Sequence, residues 1–556
     1  MPDDPAPWTP TGPARPTRSN RATRPTRRNR ATRPSHAARL RRRRRRRRGR
    51  LSAAALTLVA LAVGVDLAVQ SGAGAQPTIP AAATRIDVGS RAVSRPVPGG
   101  FIGLSIEYRS ALQYFGSDPS RPDPVFIGLV RNLTPGQSPV LRFGGDTTDW
   151  TWWNTPGVRR PGGIRYTLGP RWVGATAAMA RALDARLILG INFESDSTAI
   201  ARTESSALVA GIGRRYIAGL ELGNEPEVYG SLGWYATAAG VAVPGRPAGY
   251  DFAGYLPDYA RVLSALPPGI PVAGPASGAP QWLAGVSQYL AANPRVRIVT
   301  FHRYPLHRCF TAVSSPDYPS IANLLSPAAA SGPAVSLQSG VLAAHARGVP
   351  FRADELNSVS CGGARGVSDT FASALWVLDT LFNMARVGVD GVNIHTFQKA
   401  IYEPFAVRQS HGHWQAEGRP MYYGLLMFAR AVPPGSRLLT ASALVPGQLP
   451  PTLRMWATRA PSGRVSVVLI NESRRRPVII AVRAPTAAGS ASAIRLRAPR
   501  ADARTGITLG GQTFGASTTT GDLAGTPRAL TLTAIQHRFV VRLPPVSATL
   551  ISVAPR

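Results

Sequence analysis

The chain has 556 residues, more than one ordinary domain needs and enough for a barrel of about 250 or more residues plus an accessory module. Its formal charge of +35 is uneven: residues 1–50 hold eighteen arginines and two aspartates, a net +16, which leaves +19 for the remainder. Arginine outnumbers lysine 63 to 1, so compositional bias accounts for much of the basic excess, and the charge by itself does not select a nucleic-acid partner.

Residues 1–50 are rich in Pro, Thr and Arg and end in eight consecutive arginines, Arg41 to Arg48, before Arg50. Self-repulsion and the lack of apolar residues argue against a packed core there, so a disordered cytoplasmic tail is expected. Residues 51–69 follow as nineteen mostly apolar positions interrupted by Asp66, and then a small-residue site at Ala73, Gly74 and Ala75. That order is the order of an export signal, with Arg47 and Arg48 allowing a loose twin-arginine reading. The long basic region and the near-spanning apolar run also fit a single-pass anchor with arginines on the inner side. Both readings place the bulk of the chain outside the cytoplasm, secreted or anchored to the outer face of the membrane.

From residue 86 onward, short apolar or β-branched runs alternate with longer amphipathic stretches, as in a parallel sheet covered by helices. Eight runs stand out, at 101–106, 140–143, 187–191, 216–222, 272–274, 296–301, 351–353 and 391–394. Helices are predicted between them at 172–185 and 367–387, the latter apolar at Phe371, Leu375, Leu378 and Phe382. The pattern predicts an α/β (β/α)8 TIM barrel. After residue 433 it changes to strands without helical spacing, as at 465–470 and 538–543, which predicts an accessory all-β sandwich. Residues 84–97 are expected to add a strand to that sandwich. The expected division is a tail at 1–50, a signal or anchor at 51–75, a sandwich strand at 86–98, the barrel at 99–432 and the sandwich at 433–556.

Two carboxylates fall where barrel strands give way to loops: Glu225 in L-E-L-G-N-E-P (220–226) and Glu355 in F-R-A-D-E-L-N-S (351–358). They follow the fourth and seventh runs, at the end of the barrel where catalytic groups collect. Two such carboxylates brought together can cleave a glycosidic bond. Asn224 offers an amide to a sugar hydroxyl, and Pro226 biases Glu225 toward extended backbone. Glu221, Glu227 and Asp354 lie close enough to be mistaken for the pair. Because alternate strand residues face opposite ways, Asp354 and Glu355 are not both expected to point inward. The aromatic residues of D-W-T-W-W-N (149–154) fit a sugar platform or ordinary packing equally well, and Asp146 and Asp149 fit either sugar contact or helix capping.

Other chemistries find less support. His302, His307 and Cys309 form H-x4-H-x-C, which matches no usual zinc pattern, and no Walker-type phosphate loop is present, so neither metal nor cofactor is expected. No repeat of 20–50 residues is apparent. Cys309 and Cys361 follow different strands and would close a 51-residue segment if paired, plausible in an oxidising compartment.

Five strings occur in order: L-R-F-G-G-D (141–146), G-N-E-P (223–226), T-F-H-R-Y-P (300–305), E-L-N-S (355–358) and G-V-S-D-T-F-A-S-A-L-W (366–376), with T-L-G-G-Q (508–512) in the sandwich. Through them the chain resembles glycoside hydrolase family 79, which contains β-glucuronidases and heparanase. The resemblance implies a retaining mechanism with Glu225 as acid/base and Glu355 as nucleophile, their carboxyl groups roughly 5 to 5.5 Å apart. It further implies that Asn224 meets the 2-hydroxyl, that Tyr304 orients Glu355, and that His302 and His395 form floor or wall. A uronate carboxylate would be held by the amides of Gly362 and Gly363 and by Tyr402. Ser360 departs from the tyrosine often found in related loops.

The partner expected is a carbohydrate, uronate-containing by the resemblance, with no nucleic acid and with a membrane anchor at 51–69 as one of the two readings above. Rival functions are a non-catalytic surface carbohydrate-binding protein and a retaining β-glycosidase without uronate specificity. Nucleic-acid binding by the arginine tail leaves the 470 or so following residues unexplained.

Overall fold

The computed structural model describes residues 78–555 apart from 310, 446, 448 and 487. The tail and the export or anchor segment expected at 1–75 lie outside the described residues, and among the described residues no helix is long and apolar enough to cross a membrane.

Eight parallel strands close into a barrel: Ile102–Glu107, Val140–Gly144, Arg186–Ile191, Ile217–Leu222, Val272–Ser277, Val296–Arg303, Phe351–Leu356 and Gly391–Thr396. The first strand pairs with both the second and the eighth, which closes the ring. These are the eight runs expected, and the barrel-plus-sandwich architecture holds. Six of them run on past the C-terminal end of the apolar pattern, the third and fourth stopping where it did, and at the seventh and eighth the added residues are polar groups satisfied inside the barrel. Asp354, Glu355 and His395 are all buried and within strands.

Helix ends follow local chemistry. Asp123 accepts from the Val125 amide ahead of Pro124 at the start of Pro124–Leu133, and Ser197 accepts from Ile200 at the start of Thr198–Ile212. Helix Phe371–Val387 is buried along most of its length because Pro327–His345 packs on one side and Pro420–Ala431 on another. Its fully buried Trp376 sends its indole N–H to the Ala329 carbonyl at 2.9 Å, so the one polar atom of a large core side chain is paired.

A ten-stranded sheet follows the barrel in sequence. Strand Ser490–Arg497 pairs with both Leu530–Ile535 and Ser547–Val553, so the sheet rolls up on itself around Val467, Leu469, Ile480, Val482, Val541 and Ile551. Thr84–Ala92 joins it from the other end of the chain, antiparallel to Arg437–Ala443 and parallel to Val478–Arg483. Trp456 of the sandwich stacks on Phe382 of the barrel with ring centres 5.3 Å apart, and its N–H reaches Asp379 at 2.6 Å. The two layers therefore share packed side chains along the outer face of helix Phe371–Val387.

Candidate active site

The strand ends converge on one buried guanidinium. Arg142, on the second barrel strand and fully buried, donates from Nε to Glu221 (2.6 Å), from Nη1 to Glu355 (2.8 Å) and Ser105 (3.1 Å), and from Nη2 to the Asn224 side-chain oxygen (2.9 Å). Asp354 lies 3.1 Å from the same Nε. Asp354 and Glu355 therefore both reach the barrel interior, contrary to the strict alternation expected. The cause is in the pairing: the register of this strand slips against both neighbours, between Thr300 and His302 on one side and between Ala353 and Leu356 on the other, and such a bulge re-aims consecutive side chains.

Three acids around one guanidinium cannot all be charged cheaply. Burial, and then Glu221, drive Asp354 well above the ordinary carboxylate range. Burial also presses Glu221 upward, but Arg142 and a hydrogen bond from Asp354 outweigh it and leave Glu221 below its ordinary value. Of the two, Asp354 is the one its surroundings press toward the protonated form.

Glu355 is held as an anion. Burial alone would raise it, yet His395, His302, Arg142 and the Tyr304 hydroxyl together bring it down to about 2. The Tyr304 hydroxyl donates to Glu355 Oε1 at 2.7 Å, while His395 Nδ1 stands 3.4 Å from Oε2. Behind His395, Glu107 faces its Nε2 at 3.5 Å and is fixed by the Thr147 amide and hydroxyl. Burial works against the charged imidazole, but Glu355 and Glu107 raise His395 above its ordinary value. Gly145, at φ +77°, permits this approach: a β-carbon there would sit 2.5 Å from Glu107 Oε1 and 2.9 Å from His395 Cε1.

Glu225 sits on a different kind of support. Its backbone is left-handed (φ 49°, ψ 56°), not extended as the following proline suggested. Its amide donates to the Ala276 carbonyl at 2.8 Å and its carbonyl accepts from Val228 at 3.0 Å, so the loop and a short turn at Pro226–Val228 impose the conformation. Such a backbone costs on the order of 1–3 kcal/mol, borne by the surrounding fold. His302 Nδ1 contacts Glu225 Oε1 at 3.0 Å and its Nε2 faces Asp354 at 3.7 Å. His302 is almost fully buried and lies behind the carboxylates, bridging them. One oxygen of Glu225, one of Glu355 and a nitrogen of His302 all lie within 4.8 Å of one another. One oxygen of each carboxylate within 4.8 Å of the other, one of them on a firmly anionic group, places both acids at a single centre.

Asn224 is aimed by Asp149, whose Oδ2 accepts from the Asn224 amide (2.9 Å) and the Tyr229 hydroxyl (2.6 Å) while Oδ1 accepts from Phe193 and Glu194. Asp149 is thus a buried brace. With the Asn224 oxygen on Arg142, its side-chain NH2 donates to no described residue and remains available to a ligand. Asp146, just past the second strand, keeps exposed surface but is crowded by protein atoms around its carboxyl, and that desolvation and then the charges of Glu107, Glu225 and Glu355 raise it above the ordinary carboxylate range.

Gly362 and Gly363, at φ +80° and +91°, follow the seventh strand and lie against Tyr402 and Phe397. A β-carbon on Gly363 would be 3.0 Å from the Tyr402 nitrogen. Their amides donate to no described residue, while their carbonyls are taken by Ile401 and Arg308. Tyr402 is buried, its ring centre 6.4 Å from that of Tyr304 and 6.0 Å from that of His395. Cys309 and Cys361 are joined as a disulfide, Cα atoms 6.4 Å apart, tying the loop after Tyr304 to the loop that carries the two glycines. The Ser360 amide on the Leu306 carbonyl (2.9 Å) ties the same loops.

Trp152 packs with Ile164, Ile200 and Trp234, and Trp150 is covered by the Arg165 guanidinium 3.8 Å above its ring. The aromatic string is therefore packing. His307 does not join His302, since its neighbour Cys309 is in the disulfide; among the described residues the cluster with metal-ligand chemistry is Glu225, His302 and Glu355. Arg142, Glu107 and Glu221 went unassigned in the sequence. The signal available for Arg142 was a lone arginine inside an otherwise apolar barrel strand.

No protein-family profile matches the chain. It is 25% identical over 443 residues to a β-glucuronidase of Neurospora crassa, across 70% of this chain and 75% of that protein. Among solved structures it shares its fold with a 4-O-α-L-rhamnosyl-β-D-glucuronidase from Fusarium oxysporum (TM-score 0.65, 20% identity, 84% of this chain and all of that one). It shares the fold also with a family 51 α-L-arabinofuranosidase from Thermotoga petrophila (TM-score 0.59, 16% identity, 85% of this chain and all of that one). The chain is thus similar in fold to glycoside hydrolases of more than one specificity.

Proposed function

We propose that this chain is a retaining glycoside hydrolase of the family 79 kind that removes β-linked glucuronic acid from glycosides or polysaccharides. The observation that carries the reading is the approach of Glu225 and Glu355 to within 4.8 Å, with Glu355 anionic and Glu225 on the more open side. Glu355 attacks the anomeric carbon as the bond to the leaving oxygen breaks, and Glu225 gives that oxygen its proton. The product leaves, and a glycosyl ester remains on Glu355. Glu225, now a carboxylate, takes a proton from water; the water oxygen bonds to the anomeric carbon and Glu355 is released.

Uronate preference is supported by the two unpaired amides of Gly362 and Gly363 beside Tyr402. Neutral donors can hold a carboxylate without setting a further fixed cation beside Glu355. Asn224 supplies a free amide for the 2-hydroxyl. The order of the basic segment, apolar stretch and small residues, with a disulfide beyond them, supports export.

A panel of aryl β-glucuronide, β-glucoside, β-xyloside and α-arabinofuranoside tests the reading. Preferential release of the aryl group from the glucuronide is expected. Faster turnover of the glucoside or xyloside would leave a retaining β-glycosidase without uronate specificity, and binding of glucuronate with no turnover would leave a carbohydrate-binding protein.

A further inference from the structure

We propose that the Cys309–Cys361 disulfide is a positioning element for substrate recognition: it aims the Gly362 amide at the carboxylate of a uronic acid. This rests on the uronate reading above and adds to it two side chains that take no part in bond cleavage. The cross-link joins two loops. One follows the sixth barrel strand and, among its described residues up to 320, forms no helix and pairs as a strand would only through Leu306 with Val359. The other follows the seventh strand and carries Gly362 and Gly363. Both cysteines are exposed.

A peptide unit is planar, so its N–H points wherever the atoms at its two ends are held. Consecutive units in the second loop are held differently. The unit carrying the Gly363 amide is fixed because its carbonyl, that of Gly362, accepts from the Ile401 amide at 2.9 Å. The unit after it is fixed by Arg308, which donates to the Gly363 carbonyl at 3.1 Å. The unit before them carries the Gly362 amide and the Cys361 carbonyl, and neither makes a hydrogen bond to a described residue. The Cys361 amide makes none either, and the next backbone anchor on that side is the Ser360 amide on the Leu306 carbonyl. Between those anchors the backbone is held through one side chain, that of Cys361, joined to Cys309 with Cα atoms 6.4 Å apart.

The conformation so held is one the stretch would not keep unaided. Cys361 has φ +58°, a left-handed backbone that a residue with a β-carbon disfavours, and Gly362, at φ +80°, takes either hand about as readily. Freed of the cross-link, Cys361 relaxes toward negative φ, and the unit between it and Gly362 turns its N–H away. Gly363 keeps its aim through Ile401, so one of two donors for the carboxylate is lost. The reacting groups stay in place: Glu355 is held by Arg142 and Tyr304, and Glu225 by Ala276 and Val228, none of them within 306–309 or 360–362.

The test measures hydrolysis of p-nitrophenyl β-D-glucuronide by the wild-type protein, by the double change Cys309→Ala with Cys361→Ala, and by wild-type protein reduced with dithiothreitol. These are the chain's two cysteines, so complete reduction is read as two free thiols. Loss of one hydrogen bond to a charged group, made alike in the ground and transition states, should raise KM about ten- to a hundredfold and leave kcat within about threefold. The rise in the reduced protein should reverse on reoxidation, and because that arm starts from folded protein it decides the matter even where the double variant does not fold. A KM that stays within about threefold, or a kcat that falls as far as KM rises, would overturn the proposal. The uronate reading beneath it fails on a different result: wild-type protein that turns over p-nitrophenyl β-D-xyloside, which lacks the carboxylate, as well as the glucuronide.

Discussion

The two sides of the cleft are built to opposite specifications. Around Glu355 stand Arg142, His395, His302 and the Tyr304 hydroxyl, and its side chain is only 8% exposed. Around Glu225 stand His302 and another acid, Glu227, and its side chain is 30% exposed. Surrounding a carboxylate with fixed donors locks it in one protonation state, which suits a group that must always be an anion. Leaving the other more open to solvent gives water and a leaving group a way to reach it. The chemistry is set less by the two glutamates, which are alike, than by what each is packed against.

The contrast can be broken from either side, and the largest effect is expected from Glu355→Ala, which should lower kcat on an aryl β-glucuronide by about 10⁴-fold or more, since it removes the proposed nucleophile. Glu225→Ala should cost about 10²–10⁴-fold, with the loss concentrated on substrates with poor leaving groups. Added azide should restore part of that loss as a glycosyl azide, and the same treatment of Glu355→Ala should not yield the retained-configuration azide.

Arg142→Met removes the cation shared by Glu221, Asp354 and Glu355, and chemical denaturation should show a loss of about 3–5 kcal/mol, the usual range for breaking a buried pair. The pH dependence sharpens the point. Glu355, at about 2 in the folded chain against an ordinary 4.5, contributes stability that is fully present above about 4.5 and is lost as pH falls toward 2. In Arg142→Met the folded value rises, so that contribution shrinks and the acid limb of kcat/KM moves to higher pH. An unmoved acid limb would show that Arg142 does not hold Glu355 down. Tyr304→Phe is the mildest change: one hydrogen bond to a charged group is lost, worth about 1.5–3 kcal/mol, so a fall in kcat of about ten- to a hundredfold is expected. KM should move less, because the bond is to Glu355 and not to the ligand.

The barrel was legible because each strand is a short apolar run between longer amphipathic stretches, and that period survives in the sequence even where strand ends do not. The strands' polar ends were missed for one reason: Asp354, Glu355 and His395 look like loop residues until the buried Arg142 that satisfies them is known. Glu225 and Glu355 were named from their place after strands, and the structure puts them together, but the sequence could not show the register slip that turns both Asp354 and Glu355 inward. Nor could it show that contacts to Ala276 and Val228 hold Glu225 left-handed against the bias of Pro226. The slip and the Ala276 contact both depend on strands far apart in sequence. Asp149 was open between sugar contact and capping, and it turned out to brace four groups from two loops, those after the third and fourth barrel strands.

The central claim is that Glu355 forms a covalent bond to the sugar during turnover. Incubation with 2-deoxy-2-fluoro-β-glucuronyl fluoride, followed by proteolysis and mass spectrometry, reads this directly. The expected result is a 2-deoxy-2-fluoroglucuronyl ester on the peptide containing Glu355 and slow reactivation in water. An ester on Glu225 or Asp354, or turnover that inverts the anomeric centre with no ester at all, would contradict it.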